Sequence, residues 1–75
     1  MEPYKNLNRN SAIVAFKLQA SSIIVQFNDG VMYLYSTASA GAINIGKMHE
    51  LAVQGHGLNS FINRYVGKSY ERKWR

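Results

Sequence analysis

Cysteine is absent from the sequence, and proline and acidic residues are scarce. Without cysteine, neither a disulfide framework nor a thiolate zinc site can form. The chain has one proline and four acidic residues among its 75 positions. Its stability must therefore come from packing, with or without help from self-association, and a domain this short leaves a thin stability margin.

Long apolar runs are also missing. No stretch approaches the roughly 18 continuous apolar residues of a membrane-spanning helix. Residues 1–6 are polar and lack the apolar centre of a secretion signal. Together with the absence of cysteine, these features predict a soluble, cytoplasmic protein that does not act at a membrane.

Two fragments resemble catalytic motifs, but each lacks a residue that its chemistry needs. Residues 41–48 match the phosphate loop G-x-x-x-x-G-K-[ST], except that Met48 replaces the hydroxyl that holds magnesium. His49-Glu50 begins like the zinc motif H-E-x-x-H, but Val53 stands at the position of the second histidine. The four carboxyl groups are scattered, so no acid–base pair is expected in a cleft. The sequence predicts a non-catalytic protein without a metal or cofactor.

With 47% apolar and 17% charged residues, the chain is predicted to be one globular domain over residues 1–75. Residues 1–10 are expected to form an irregular lead-in. Alternating apolar residues then predict a three-stranded antiparallel meander at about 12–18, 22–28 and 31–36. Asp29-Gly30 supplies the positive φ that the second hairpin turn requires. In the first strand, strict alternation puts Val14 and Phe16 on one face and Ile13 on the other.

After a predicted loop over residues 36–41, the apolar period lengthens to about three and a half residues. This period predicts two helices, at about 42–54 and 58–66, ended by Gly55 and Gly67. Tyr65 lies in the apolar stripe of the second helix and is expected in the core. Both helices are predicted to pack on one face of the sheet, in an α+β fold.

Residues 64–75 carry most of the net charge of +5, because five basic residues stand there against Glu71 alone. The segment from 68 to 75 is a basic, aromatic tail without clear periodicity, so a short helix and a mobile arm both remain open. Single-stranded nucleic acid is bound by cations together with aromatic side chains on which bases stack. The candidate nucleic-acid-binding residues are Arg64, Lys68, Tyr70, Arg72, Lys73, Trp74 and Arg75.

A set of short motifs spans residues 11–66. In chain order they are Ser11, Ile13, Phe27-Asn28-Asp29-Gly30, Tyr33-Leu34-Tyr35, Gly57, Phe61-Ile62-Asn63 and Tyr65. This pattern resembles the small bacterial domain named after the lysyl-tRNA synthetase C-terminus (KTSC). The proline that the family usually has after its Y-x-Y strand is replaced by Thr37-Ala38-Ser39. The resemblance implies a sheet-and-helix module, found alone or appended to a tRNA synthetase, with RNA as a suggested ligand. It also implies that Tyr33 and Tyr35 are motif residues, with a role that is functional or structural.

Two functions therefore stand beside each other. The first is a binding module for RNA or another nucleic acid, for example a tRNA-like partner, that uses the basic, aromatic tail. The second is a protein-interaction or self-association domain in which the aromatic residues are buried against a partner. An enzyme remains only if a larger partner completes a catalytic site.

Overall fold

A five-stranded antiparallel sheet forms the centre of the structure, a computed structural model that describes residues 1–75. The strands are β1 (Glu2–Pro3), β2 (Ile13–Gln19), β3 (Ser22–Phe27), β4 (Met32–Ser36) and β5 (Arg72–Trp74). They lie in the sheet in the order in which they occur in the chain. The helices, all between β4 and β5, are α1 (Thr37–Ala40), α2 (Ala42–Gln54) and α3 (Leu58–Phe61), and α3 continues as a π-helical turn (Ile62–Val66). None of these helices has the length and apolar character needed to cross a bilayer.

The α+β class and the three central strands are confirmed, but the sheet is larger than the predicted meander. The lead-in, expected to be irregular, contributes β1 at one edge, and the tail contributes β5 at the other. Both edge strands are only two or three residues long. Such short segments carry no readable period, and their pairing partners are distant in the chain.

Two contacts beyond the ladder attach the tail to the sheet. At the residue before β5, the Glu71 carboxylate accepts a hydrogen bond of 2.8 Å from the Ser36 hydroxyl. At the residue after β5, Arg75 Nη2 donates to the Asp29 carbonyl oxygen at 2.7 Å. Residues 72–74 of the tail therefore form a strand, a conformation that neither of the two alternatives left open by the sequence, a short helix and a mobile arm, included.

The β3–β4 hairpin turns through Asn28, Asp29 and Gly30. Gly30 has φ of +88°, and its amide donates to the Phe27 carbonyl at 2.9 Å. The Asp29 carboxylate accepts from the Val31 amide at 3.0 Å, which braces the turn. Asp29 itself keeps negative φ, so glycine alone supplies the left-handed position, as in a three-residue hairpin loop.

A register shift in β2 overturns the predicted division of its faces. The pairing with β3 slips between Ile13 and Ala15, so an extra residue is inserted there. As a result Ile13 and Phe16 are both buried, whereas Val14 is 43% exposed. A β-bulge changes which side chains face the core, and strict alternation cannot anticipate it.

The core lies between one face of the sheet and the helices. Ile23, Val25 and Tyr35 from the sheet meet the buried stripe of α2 there. The thirteen buried apolar side chains are Tyr4, Ile13, Phe16, Ile23, Val25, Tyr35, Ile45, Met48, Leu51, Ala52, Leu58, Ile62 and Val66. The predicted packing of α2 and of the helix after it against a single face therefore agrees with the structure.

The segment expected to be a loop before α2 instead contains α1. Ser36 caps this helix: its hydroxyl accepts from the Ser39 amide at 3.2 Å, and the Ser39 hydroxyl accepts from the Ser36 amide at 3.0 Å. This reciprocal pair is a capping box, in which serine takes the place of the usual glutamate. Gly41, with φ of +91°, then separates α1 from α2.

The predicted second helix is part α-helix and part π-helix, and this changes the position of Tyr65. The buried residues recur every four positions, at Leu58, Ile62 and Val66. Tyr65 is 63% exposed and was wrongly expected in the core. It packs beside Phe61 on the outer surface, with ring centroids 5.1 Å apart. The hydrogen bond from the Gly67 amide to the Ile62 carbonyl, at 2.6 Å, closes the wide π turn.

Candidate functional site

An open pocket of about 340 Å³ lies where the hairpin, the π-helical turn and the tail meet. We call it the tyrosine pocket, because Tyr33, Tyr35 and Tyr70 line it. Half of its twelve lining residues are apolar. The remaining lining residues are Ala12, Phe27, Asn28, Asp29, Ile62, Asn63, Gly67, Lys68 and Lys73.

The aromatic rings of the pocket form one connected cluster. Tyr33 stacks on Tyr35 with centroids 6.2 Å apart and an interplanar angle of 17°. Tyr70 and Phe27 both pack edge-to-face against Tyr33, with ring centroids 5.0 Å and 5.2 Å from the Tyr33 centroid. Contacts of this kind stabilise an aromatic cluster beyond its buried area, so the rings hold each other in place.

Two lysines supply the positive charge of the pocket, and Asp29 is its single acidic residue. Lys73 pairs with Tyr33 across the β4–β5 ladder, and its Nζ lies 5.9 Å from the ring centroids of both Tyr33 and Tyr70. Lys68 follows the π-helical turn and is exposed. Neither lysine forms an ion pair, since the single salt bridge of the chain joins Lys47 to Glu50 on α2. Their charges are therefore available to an anion.

The tyrosine hydroxyls of the pocket have no hydrogen-bond partner in the protein. The only tyrosine hydroxyl that bonds to the chain is that of Tyr4, which accepts from the Leu58 amide at 3.3 Å. Tyr35 is only 2% exposed, yet no fully buried side-chain polar atom lacks a partner. Its hydroxyl therefore keeps its access to water through the pocket that Tyr35 lines.

Burial raises the pKa of the Tyr35 hydroxyl well above its ordinary value of 10.0, and the nearby Tyr33 and Tyr70 raise it further. In the unfolded chain the Tyr35 hydroxyl ionises near pH 10, whereas in the folded protein it is still neutral at that pH. Its contribution to stability is therefore complete below pH 10 and is lost as the pH rises above that value. The measurement is the tyrosinate absorbance of wild type and of Tyr35→Phe as the pH is raised. The difference between the two curves reports on Tyr35, and we expect it to develop only well above pH 10. Development of that signal at pH 10 would contradict the burial of the Tyr35 side chain.

The tertiary structure brings together five of the residues singled out from the sequence and separates the others. Lys68, Tyr70 and Lys73 of the tail join Tyr33 and Tyr35 of the Y-x-Y motif in the tyrosine pocket. The remaining four candidates, which lie elsewhere, are Arg64, Arg72, Trp74 and Arg75.

Arg64 lies over the Tyr65 ring at 6.0 Å on the outer helix surface. The Arg75 guanidinium is engaged by the Asp29 carbonyl. Arg72 and Trp74 alternate with Lys73 along β5 and so point to the opposite face of the sheet, with the Arg72 guanidinium 5.0 Å from the Trp74 ring centroid.

The sheet face opposite the helices is not covered by any element. Two rows of side chains cross it, joined by the strand pairing. One row is Ala15, Gln26, Met32 and Trp74, and the other is Lys17, Ile24, Leu34 and Arg72. None of these residues is buried. We call these two rows the open sheet face.

Other surface features offer less. A cavity of about 90 Å³ between the amino-terminal segment and α3 is lined mainly by amides and hydroxyls, among them Asn6, Asn10 and Asn59. No group of three or more His, Asp or Glu side chains is placed to hold a metal ion. His49 is used within the fold, since its Nε2 lies 2.8 Å from the Ser22 carbonyl oxygen.

Sequence reasoning missed Phe27, Asn28 and Asn63 as members of the site. The first two belong to the hairpin motif quoted for the family resemblance, and Asn63 belongs to its closing helix. No local signal placed them beside the tail, because their proximity depends on the pairing of β5 with β4.

Comparison with family models, with curated proteins and with solved structures gives no match for this chain. Its function has to be argued from the tyrosine pocket and the open sheet face.

Proposed function

We propose that this protein is a non-catalytic module that binds single-stranded RNA through the tyrosine pocket. The observation that carries the proposal is the convergence of Tyr33, Tyr35 and Tyr70 with two unpaired lysines around one open pocket. Proteins hold single strands by stacking bases on aromatic rings and neutralising the backbone with lysine or arginine. An RNA of the cytoplasm, for example a tRNA-like molecule, fits this chemistry.

Two further features support the proposal. A π-helical turn forms one wall of the pocket, and such turns occur frequently at functional sites. The family resemblance also points towards RNA, and its motif residues Tyr33 and Tyr35 line the same pocket. We propose on this basis that the chain is related to the KTSC domains. At the position of the missing family proline the chain forms α1.

The charge of the pocket predicts a shallow salt dependence. Each phosphate of a single strand that a lysine neutralises releases counterions and contributes about −0.7 to the log–log slope, so two lysines give about −1.4. Affinity for a single-stranded RNA oligomer should then fall about seven-fold between 50 and 200 mM salt. An amide NMR titration at both salt concentrations measures this change and maps the surface. Shifts should cluster on the hairpin, the π-helical turn and residues 68–73.

Removing the two pocket lysines should abolish most of this binding. We expect Lys68→Ala/Lys73→Ala to weaken the affinity for the oligomer by about ten-fold or more at 50 mM salt and to flatten the salt slope. The matched control is Lys17→Ala/Lys47→Ala, which removes the same charge from the open sheet face and from α2. Equal loss in both variants would mean that binding follows net charge alone and would refute a specific site. An unchanged spectrum with RNA at low salt would refute the proposal as a whole.

The open sheet face supports a second candidate function, self-association with another copy of this chain. Its centre is uncharged, with Ile24, Met32 and Leu34, while Lys17 and Arg72 lie at its rim. A two-fold interface could bury the centre and leave the like charges outside. Analytical ultracentrifugation tests this: a dimer that persists at high salt and is lost in Leu34→Glu supports it. A monomer at millimolar concentration contradicts it.

A further inference from the structure

The most deeply placed polar group of the tyrosine pocket is the Tyr35 hydroxyl, and nothing in the protein satisfies it. The ring is held in the core with Val25 and Ile23 on the same sheet face. The hydroxyl keeps its access to water through the pocket, since no fully buried side-chain polar atom lacks a partner, and a ligand can take the place of that water. Because Tyr35 is part of the floor of an open pocket, a bound molecule can reach it.

The size of the pocket limits what that molecule can be. Pockets for drug-sized ligands range from about 300 to 1,000 Å³, and the tyrosine pocket, at about 340 Å³, lies at the lower end. This volume suits one nucleotide unit and not a stack of several bases. The aromatic lining suits a planar base, while the side-chain amides of Asn28 and Asn63, which make no hydrogen bond in the protein, suit its polar edge.

The two lysines of the pocket outnumber its single acidic residue, Asp29, and favour a phosphate on that unit. Lys73 extends the row Phe16, Val25 and Tyr33 from the core to the solvent edge, so its ammonium group ends beside the aromatic cluster. Lys68 enters the pocket lining from the end of the π-helical turn. No carboxylate lies within salt-bridge distance of either ammonium group. A phosphate can therefore neutralise both without displacing a partner.

We infer that the tyrosine pocket is a site for a single nucleoside monophosphate, with the Tyr35 hydroxyl bonded to the base and the phosphate held by Lys68 and Lys73. This inference rests on the proposed function and deepens it, since it makes one nucleotide of the strand the recognised unit. A free nucleotide and a nucleotide within an RNA share this chemistry.

The first test compares three probes by amide NMR and calorimetric titration against the full chain. AMP carries base and phosphate, adenosine lacks the phosphate, and inorganic phosphate lacks the base. We expect AMP to bind at least about ten-fold more tightly than either of the other two, because each supplies only half of the contacts. Equal affinity of adenosine and AMP, or of phosphate and AMP, would overturn the inference.

The second test removes one oxygen atom. Tyr35→Phe keeps the buried ring and its packing, and we expect it to weaken AMP binding about five- to ten-fold through the lost hydrogen bond. The matched control Tyr65→Phe removes a hydroxyl outside the pocket and should leave binding unchanged. An amide spectrum of Tyr35→Phe that matches wild type in dispersion shows that the variant is folded. Unchanged AMP affinity in that folded variant would overturn the role of the hydroxyl.

The inference and the proposed function can fail separately. If the RNA oligomer binds and AMP does not, the single-nucleotide site is wrong and RNA binding stands. If AMP binds and the oligomer does not, the site stands and the RNA function is wrong. If neither the oligomer nor AMP binds, both the RNA function and the single-nucleotide site are wrong.

Discussion

Leu58→Ala is expected to remove a large part of the stability of this protein, by about 2–5 kcal/mol in the free energy of unfolding. Leu58 begins α3 and is 0% exposed in the core. A domain of this length has a total of about 4–11 kcal/mol, estimated from about 0.05–0.15 kcal/mol per residue. Urea unfolding followed by circular dichroism measures the loss, and a fall in the melting temperature of about 4–8 °C per kcal/mol should accompany it.

The control for this truncation is Ile43→Ala on α2. Ile43 is 89% exposed, so shortening its side chain removes almost no buried surface. Alanine also has the higher helix propensity, and we expect a change within about 0.5 kcal/mol. Equal loss of stability in the two variants would contradict the burial of Leu58 in the core.

Gly55→Ala is the second change with a large expected effect. Gly55 ends α2 in the left-handed conformation, with φ of +84°, which costs an L-residue about 1–2 kcal/mol. A Cβ there would lie 2.6 Å from Lys5 Cβ, an atom fixed to the backbone and unable to rotate away. The Gly55 carbonyl also accepts from the Leu7 amide at 2.8 Å. The amino-terminal segment would have to shift, so we expect a loss of about 2–4 kcal/mol.

Gly46→Ala is the same chemical change as Gly55→Ala, but we expect it to raise the free energy of unfolding instead of lowering it. Gly46 lies within α2, has ordinary helical φ, and a Cβ there would meet no atom within 4 Å. Alanine reduces the entropy of the unfolded chain, so we expect a gain of about 0.5–1 kcal/mol. Chemical unfolding of the two variants side by side is the measurement. Destabilisation of both by equal amounts would contradict the different environments of the two glycines.

The sequence predicted those parts of the fold whose signals are local. The three central strands follow from alternation and from the turn at Gly30, and α2 follows from its apolar stripe and its terminal glycine. The bulge in β2 could not be predicted, because it depends on how the strand packs on its neighbour. The exposed position of Tyr65 was missed for a similar reason, since a π-helical turn rotates the chain away from the regular helical stripe.

The candidate site was predictable in its parts and not in its arrangement. The cations and aromatic residues of the tail, and the Y-x-Y motif, were visible as separate sets. Their alternation along β5 sends Lys73 towards the pocket and Trp74 towards the open sheet face, a division that only the strand conformation of the tail creates. The unpartnered Tyr35 hydroxyl depends on the packing around it and has no signature in the sequence.

The amino-acid sequence by itself therefore determined the α+β class, the hairpin, α2 and the surplus of positive charge near the carboxyl end. These follow from side-chain period, from glycine conformation and from composition, which are properties of neighbouring residues. The tertiary structure alone decided that residues 72–74 pair with β4, that the tail and the hairpin enclose a tyrosine pocket, and that one sheet face stays open. Such features arise from contacts between residues that are distant in the chain. The free energy of these contacts depends on both partners, so it leaves no pattern among neighbouring residues of the sequence.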